Sequence, residues 1–346
     1  MSAELELGPR DRVLVVAPHP DDESIGAGGV LQQARTRGAA VRVVVLTDGD
    51  NNPWPQRWIE KRWHIGAPER ARWGARRRAE AQSALALLGV ARDDAEFFGL
   101  PDLGLTPLLM RADSALQTRL RGTLAAFAPS LIVLPALSDR HPDHNAAHVL
   151  LRVALGVPAA PRLIAFAVHG GAAADGDRYL ALDDAERATK RAAIEAHGTQ
   201  MVFSHRRFVA FANPREFFQQ LTPQPQPDPA HPLAARCAAG TLELTLDRAR
   251  WHASWRGQRL LLVLDGPTPL RRELDLGVAD AAGTLPALDP VAAAPAPSAT
   301  LRIDSAAVHV TLPLPPHTWT QGFVKLARRE PGWQVFDRCG WQPVAI

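Results

Sequence analysis

The 346-residue chain has only two cysteines, Cys237 and Cys339, a single tyrosine and three lysines. Two cysteines are too few for a disulfide framework, and these lie too far apart for a Cys-x-x-Cys metal site, so they read as small apolar residues. No apolar run approaches the ~20 residues of a membrane-spanning helix. Met1 to Arg12 carries acids and lacks the hydrophobic centre of a secretory signal, so a cytoplasmic protein is expected. Disorder and collagen-like repeats are excluded by a composition that is 46% hydrophobic and 22% charged. The length predicts about two domains. All but three of the 39 basic residues are arginine, and the net charge is only +3. Global charge bears on solubility more than on function, so the clustering of positive charge is the informative quantity.

The first two-thirds alternates strand and helix. Val-, Leu-, Ile- or Phe-rich runs at Arg12–Ala17, Val41–Thr47, Glu96–Leu100, Leu131–Ala136 and Arg162–His169 read as buried strands. Helical stretches separate them, clearest at Ala75–Leu88, Leu108–Phe127, His144–Leu155 and Asp183–His197. This alternation predicts an α/β fold, Rossmann-like, with a mostly parallel sheet and helices on both faces. Its ligand site belongs beyond the carboxyl ends of the strands. Residues 1–221 form this expected catalytic domain. Residues 222–232 hold five prolines in eleven positions and read as a stiff linker. Residues 233–346 read as a β-rich accessory domain, sandwich-like, with strands near Thr241–Leu246, Leu260–Leu264, Thr300–Ile303, Val308–Leu314, Gly322–Ala327 and Trp333–Phe336. Ala281–Ala299, rich in Ala and Pro, reads as a loop.

Two clusters carry chemistry. Pro18-His19-Pro20-Asp21-Asp22-Glu23 follows the first strand, and Asp139-Arg140-His141-Pro142-Asp143-His144 follows the strand at Leu131–Ala136. Imidazole and carboxylate together suit a divalent metal such as zinc, and three protein ligands plus a water make a catalytic site. His19 and Asp22, three apart in one turn, give two ligands, and a histidine of the second cluster gives the third. Asp21 is then placed to take a proton from water activated by the ion. Read singly, an Asp-Asp pair after a strand is a turn or a cap. Two such clusters at corresponding strand ends argue for the metal.

The segments Pro18–Glu23 and His141–His144 resemble the two signatures of the PIG-L/LmbE-like metal-dependent N-deacetylases, over a stretch from Arg12 to Phe218. The resemblance implies His19, Asp22 and His144 as ligands of zinc, with ferrous iron the other candidate. It implies Asp21 as general base, His141 as oxyanion stabiliser, Asp143 as the group that orients or charge-pairs with His141, and Glu23 as a supporting acid. Arg77 and Asp102 resemble substrate-binding positions of the family; the blander readings are a solvated helix charge and a turn residue. Lys190, His197 and Gln200 match a late helical pattern. The activity implied is removal of acetyl from an N-acetylglucosamine-type sugar in a glycoconjugate. The alternatives are an amidase acting on a bulkier amide of an amino sugar and a glycan-binding protein with a decayed site.

Between Trp54 and Arg78, four tryptophans, among them Trp54, interleave with eight cations, Arg57 first, opposed only by Glu60 and Glu69. Trp faces stack on sugars and Arg pairs with phosphate or carboxylate. This segment therefore suggests an anionic or lipid-linked cell-envelope glycan, such as a lipopolysaccharide precursor, with peripheral contact to a membrane surface as a further reading. Nucleic acid is not expected as a partner, and the sequence says nothing of oligomeric state. The five tail tryptophans, Trp251, Trp255, Trp319, Trp333 and Trp341, read as core more readily than as a carbohydrate platform.

Overall fold

The computed structural model describes residues 2–158, 161–170, 176–280, 283–328 and 335–346. The chain divides into two compact units. One comprises Met1–Leu105, Gly122–Asp139 and Ala160–Leu221; the other comprises Thr106–Arg121, Arg140–Ala159 and Thr222–Ile346. Thr106–Arg121 and Arg140–Ala159 thus group with the C-terminal part of the chain.

The first unit is built on an eight-stranded sheet: β1 (Ala3–Glu4), β2 (Arg12–Ala17), β3 (Ala40–Thr47), β4 (Ala95–Leu100), β5 (Leu131–Pro135), β6 (Arg162–Phe166), β7 (Arg178–Ala181) and β8 (Arg215–Leu221). Their order is β1-β7-β8-β6-β5-β2-β3-β4. The run from β6 to β4 is parallel, and β8 pairs antiparallel with both β6 and β7. The odd-numbered residues of β2 and β3, with Leu131 and Val133, pack against α1 (Asp22–Thr36) and parts of α3 (Ala67–Leu87) and α7 (Asp184–Glu195). The alternate residues Leu14, Val16, Val44, Leu46, Ile132 and Leu134 are equally buried. Strands covered on both faces give the near-continuous apolar runs read in the sequence. From β2 the chain moves to β3 and β4, then returns to β5 on the other side. The switch point lies between β2 and β5, where such sheets place their ligands.

The remaining helices are α2 (Pro53–Glu60), α4 (Leu105–Met110), α5 (Ser114–Phe127), α6 (Pro142–Leu155) and α8 (Gly198–Val209). The helix expected over Leu108–Phe127 is two, separated where Ala112 adopts φ 50°. That left-handed conformation ends a right-handed helix.

In the second unit, β9 (Leu233–Ala238), β10 (Thr241–Asp247), β11 (Gln258–Asp265), β12 (Leu270–Asp275), β13 (Thr284–Asp289), β14 (Ala294–Ile303), β15 (Ala307–Pro313), β16 (Gln321–Arg328) and β17 (Gln342–Pro343) form one nine-stranded sheet, ordered β17-β16-β11-β12-β13-β14-β15-β10-β9. Every ladder between these neighbours is antiparallel. A bridge from Arg236 to Ala345 joins its two ends. The expected loop at Ala281–Ala299 contains β13 and the start of β14. Leu285, Ala287 and Ala299 enter the core there, and the Pro and Ala content had hidden that alternation. The strand expected at Trp333–Phe336 falls partly outside the described residues, as does Trp333 itself. Trp251, Trp319 and Trp341 are buried in this unit. Cys237 and Cys339 are both free thiols.

Candidate active site

In the first unit the site begins where β2 ends. Pro18 O accepts the Thr47 N–H and hydroxyl, each at 2.9 Å, which ties the loop to the end of β3. His19 N–H donates to Asp22 Oδ2 at 2.9 Å, and His19 Nδ1 lies 3.1 Å from the same oxygen. On the opposite side of the ring, Nε2 lies 3.2 Å from Asp102 Oδ1. Asp102 follows β4 and accepts the Asn51 N–H at 3.2 Å, while its own N–H donates to Asp50 Oδ1. His19 thus sits between two carboxylates.

Asp21 is the N-cap residue of α1, yet its side chain makes no capping bond. Its φ of 141° is rare for a residue with a side chain, and such strain persists only where the surroundings enforce it. They do so here. Glu23 Oε2 accepts the Asp21 N–H at 3.0 Å, and Arg77 Nη2 lies 3.2 Å from Asp21 Oδ2. Burial pushes the Asp21 carboxyl up to about 6, against the opposing charge of Arg77. Arg77 is only 4% exposed and donates to the carbonyls of Gly49 and Pro20, each at 2.7 Å. Gly49 has φ 60°, and a Cβ there would collide with the guanidinium. The solvated helix charge read for Arg77 does not hold, and its contacts are with the loop that presents Asp21 and the loop after β3.

Behind this loop lies a second buried pair. His197 Nε2 is 3.1 Å from Glu23 Oε1, which also accepts the Ser24 hydroxyl at 3.0 Å. Burial would lower the His197 pKa, but the Glu23 charge and hydrogen bond, with Asp21, raise it. Lys190 is buried against Glu216 at 2.5 Å, and Glu216 also accepts the N–H groups of Gly29 and Val30 in α1. Residues His197, Lys190 and Glu216 therefore brace α1. Asp139, beyond the end of β5, accepts the N–H groups of Val168 and His169 and is fully buried. Sequence reading gave Asp139 and His169 no role, because the signal joining them is strand adjacency and not spacing.

In the second unit, His141 caps α6, with Nδ1 accepting the Asp143 N–H at 3.2 Å. That bond leaves Nε2 to carry the proton of a neutral ring. The Asp143 amide therefore helps to orient the His141 ring. Asp143 and His144 are fully buried, and the His141 and His144 ring centroids are 5.1 Å apart.

Imidazole and carboxylate groups placed to serve as metal donors are His19, Asp102, Asp139 and His169 in the first unit and His141, Asp143 and His144 in the second. This mixed N/O donor chemistry fits zinc or ferrous iron. His19 and Asp22, with donor atoms in contact in one turn, fit it as well.

The Trp/Arg segment is less positive than its sequence suggests. Among the described residues, Arg62, Arg72, Arg76, Arg77 and Arg78 pair with Glu69, Glu60, Glu80, Asp21 and Asp48. Arg57 lies over the rings of both Trp54 and Trp63, at 4.9 and 5.0 Å. Trp73 is fully buried, whereas Trp54, Trp58 and Trp63 are 51%, 67% and 78% exposed. Trp58 meets the exposed Phe203 edge-on at 5.8 Å.

Residues 14–155 match the family profile described as PIG-L, GlcNAc-PI de-N-acetylase. This stretch is a PIG-L domain. It contains both motifs together with Arg77 and Asp102; His169, Lys190, His197 and Glu216 lie beyond it. The chain is similar to the 1D-myo-inositol 2-acetamido-2-deoxy-α-D-glucopyranoside deacetylase of Corynebacterium efficiens, 28% identical over 249 residues, 61% of this chain and 78% of that protein. It is also similar to the Mycobacterium sp. (strain KMS) enzyme of the same description, 34% identical over 154 residues, 40% of this chain and 47% of that one. With the Nocardioides relative the match spans a quarter of that protein's length. The fold of the PIG-L domain is also that of the 4-carboxy-2-hydroxymuconate hydratase from Pseudomonas putida KT2440, with TM-score 0.50 and 22% identity over 65% of this chain and 99% of that one. A fold shared with a hydratase leaves the chemistry to be argued from the site. No helix among the described residues is long and apolar enough to cross a membrane.

Proposed function

We propose that the protein is a metal-dependent hydrolase that removes the acetyl group from an N-acetylglucosamine-type amino sugar within a glycoconjugate. The observation that carries this reading is Asp21, a buried carboxylate freed from its capping role and set between His19 and Asp22 in sequence. In this reading His19, Asp22 and His144 hold one zinc or ferrous ion. When bound, the ion supplies Lewis acidity toward the acetamide carbonyl and acidifies water. Asp21 takes a proton from the attacking water, and its burial makes it a stronger base than an ordinary carboxylate. The protonated Nε2 of His141 donates to the oxyanion as the carbonyl carbon becomes tetrahedral. Asp21 then returns the proton to the departing amine, and acetate and a free amino sugar result. The first motif follows β2 and the second follows β5 in sequence, and these two strands are adjacent and parallel.

The exposed rings of Trp54, Trp58 and Trp63 are of the kind that stack on pyranose faces. The segment that carries them begins just after Asn51, whose amide bonds Asp102. Arg57, clasped between two of those rings, is the cation best placed to meet an anionic group on the sugar. With most neighbouring arginines paired, the reading favours sugar stacking over a strongly anionic or lipid carrier.

Two amides of the same amino sugar, one N-acetyl and one of longer acyl chain, test the proposal in the zinc-loaded full chain. Release of acetate that stops on chelation is expected. Preference for the longer acyl group would replace it with the bulkier-amide reading, and zinc binding without hydrolysis of either would leave a binding protein.

A further inference from the structure

The second unit contains a buried polar ring that the proposed reaction does not use. Lys325, on β16, is 1% exposed. Its Nζ lies 2.5 Å from Asp337 Oδ2 and donates to Asn145 Oδ1 at 2.9 Å, while Asn145 Nδ2 donates to Asp337 Oδ2 at 3.2 Å. Each of the three side chains therefore touches the other two. The segment that carries Asp337 also grips the residue ahead of the second motif. Arg140 Nε donates to Asp337 O at 3.1 Å, the Asp337 N–H donates to Arg140 O at 2.8 Å, and Phe336 stands edge-on to the His141 ring at 6.0 Å. Arg140 immediately precedes His141, and Asn145 immediately follows His144, so the contacts bracket the motif on both sides.

Helix α6 has start signals apart from this ring, a capping His141 and a proline in its first turn. The ring is not an economical way to fill a core, because taking a lysine and a carboxylate out of water costs several kcal/mol per ion and an apolar filling is often at least as stable. What a closed charged ring adds is direction. We infer that the C-terminal sheet is a positioning element for the proposed reaction, the Lys325–Asp337–Asn145 ring fixing the first turn of α6 and hence the aim of His141 and His144. This rests on the role proposed for those two histidines. Hydrogen-bond partners behind metal ligands commonly alter affinity by about 10–100-fold.

Asn145→Ala removes two sides of the ring and leaves the Lys325–Asp337 pair intact. In the full-length chain, zinc affinity is measured by competition with a chromophoric chelator, beside kcat, KM and far-UV circular dichroism. The expected result is a native spectrum, zinc affinity lower by about 10–100-fold and a lower kcat at nearly constant KM. If Asn145→Ala does not fold, the double variant Lys325→Met/Asp337→Leu, which removes both charges together, is read by the same measurements with the same expectation. Zinc affinity and kcat equal to wild type in a folded variant, with only thermal stability reduced, would overturn the inference. A wild type that binds zinc but releases no acetate would instead contradict the proposed reaction, and the zinc comparison would still decide the role of the ring.

Discussion

Arg77 and Asp21 form a buried ion pair, Nη2 to Oδ2 at 3.2 Å, and the same guanidinium holds the carbonyls of Gly49 and Pro20. One planar group thus fixes the carboxylate, the loop that presents it and the loop after β3. A lysine has a single charged point and cannot reproduce that fork. Arg77→Lys is expected to lower kcat by up to about 100-fold through misplacement of Asp21, with KM changed little. Steady-state kinetics decide the matter, because a substrate ligand at this position would show itself as a raised KM.

The His197–Glu23 pair makes stability depend on pH. The folded-state pKa of His197 is raised from 6.5, so the protonated ring is favoured by folding. The stabilisation is complete below about pH 6.5 and is lost as pH rises through the folded-state value. The cost of His197→Gln, measured as the difference in Tm from wild type, is therefore largest near pH 6 and shrinks toward pH 9. A difference that stays constant over that range would contradict the charged pair.

Burial pushes the Cys237 thiol up to about 11 and the Cys339 thiol up to about 12. At pH 8 the thiolate fraction is on the order of one in a thousand or less, and the thiolate is the reactive form. Iodoacetamide is expected to label the native protein slowly and the denatured protein at once, as read by mass spectrometry. Prompt labelling of both cysteines in the native state would show that their surroundings are open.

The exposed tryptophans carry the substrate prediction. Trp54→Ala with Trp63→Ala should raise KM several-fold, corresponding to about 1 kcal/mol of lost stacking, and release Arg57 from its clasp. Neutralising Arg57, Lys61 and Arg62 together should have the larger effect only for an anionic substrate at low salt. An unchanged KM in both variants would remove this face from the substrate site.

The alternation of strands and helices was legible because buried parallel strands are continuous apolar runs, and β2 was delimited to the residue. Both motifs were legible because each is a short local cluster. The mutual bracing of Glu23 with His197, of Lys190 with Glu216 and of Asn145 with Lys325 and Asp337 was not, since each pair is joined by packing across 26 to 192 residues of chain. For Arg77 the sequence left a substrate contact and a solvated charge both open, because its helix is crowded with arginines, and only the fold brings it against Gly49, Pro20 and Asp21. The strands β12 and β13 escaped notice because their inward alternation is carried partly by alanine and interrupted by proline and charge.

Acetate release from an N-acetylglucosamine glycoside by zinc-loaded wild type and Asp21→Asn tests the central claim most directly, with zinc content measured on both. The expected result is one acetate per free amine in wild type and retained zinc in Asp21→Asn, with turnover lower by about 10²–10⁴-fold. Full acetate release by zinc-loaded Asp21→Asn would contradict the account.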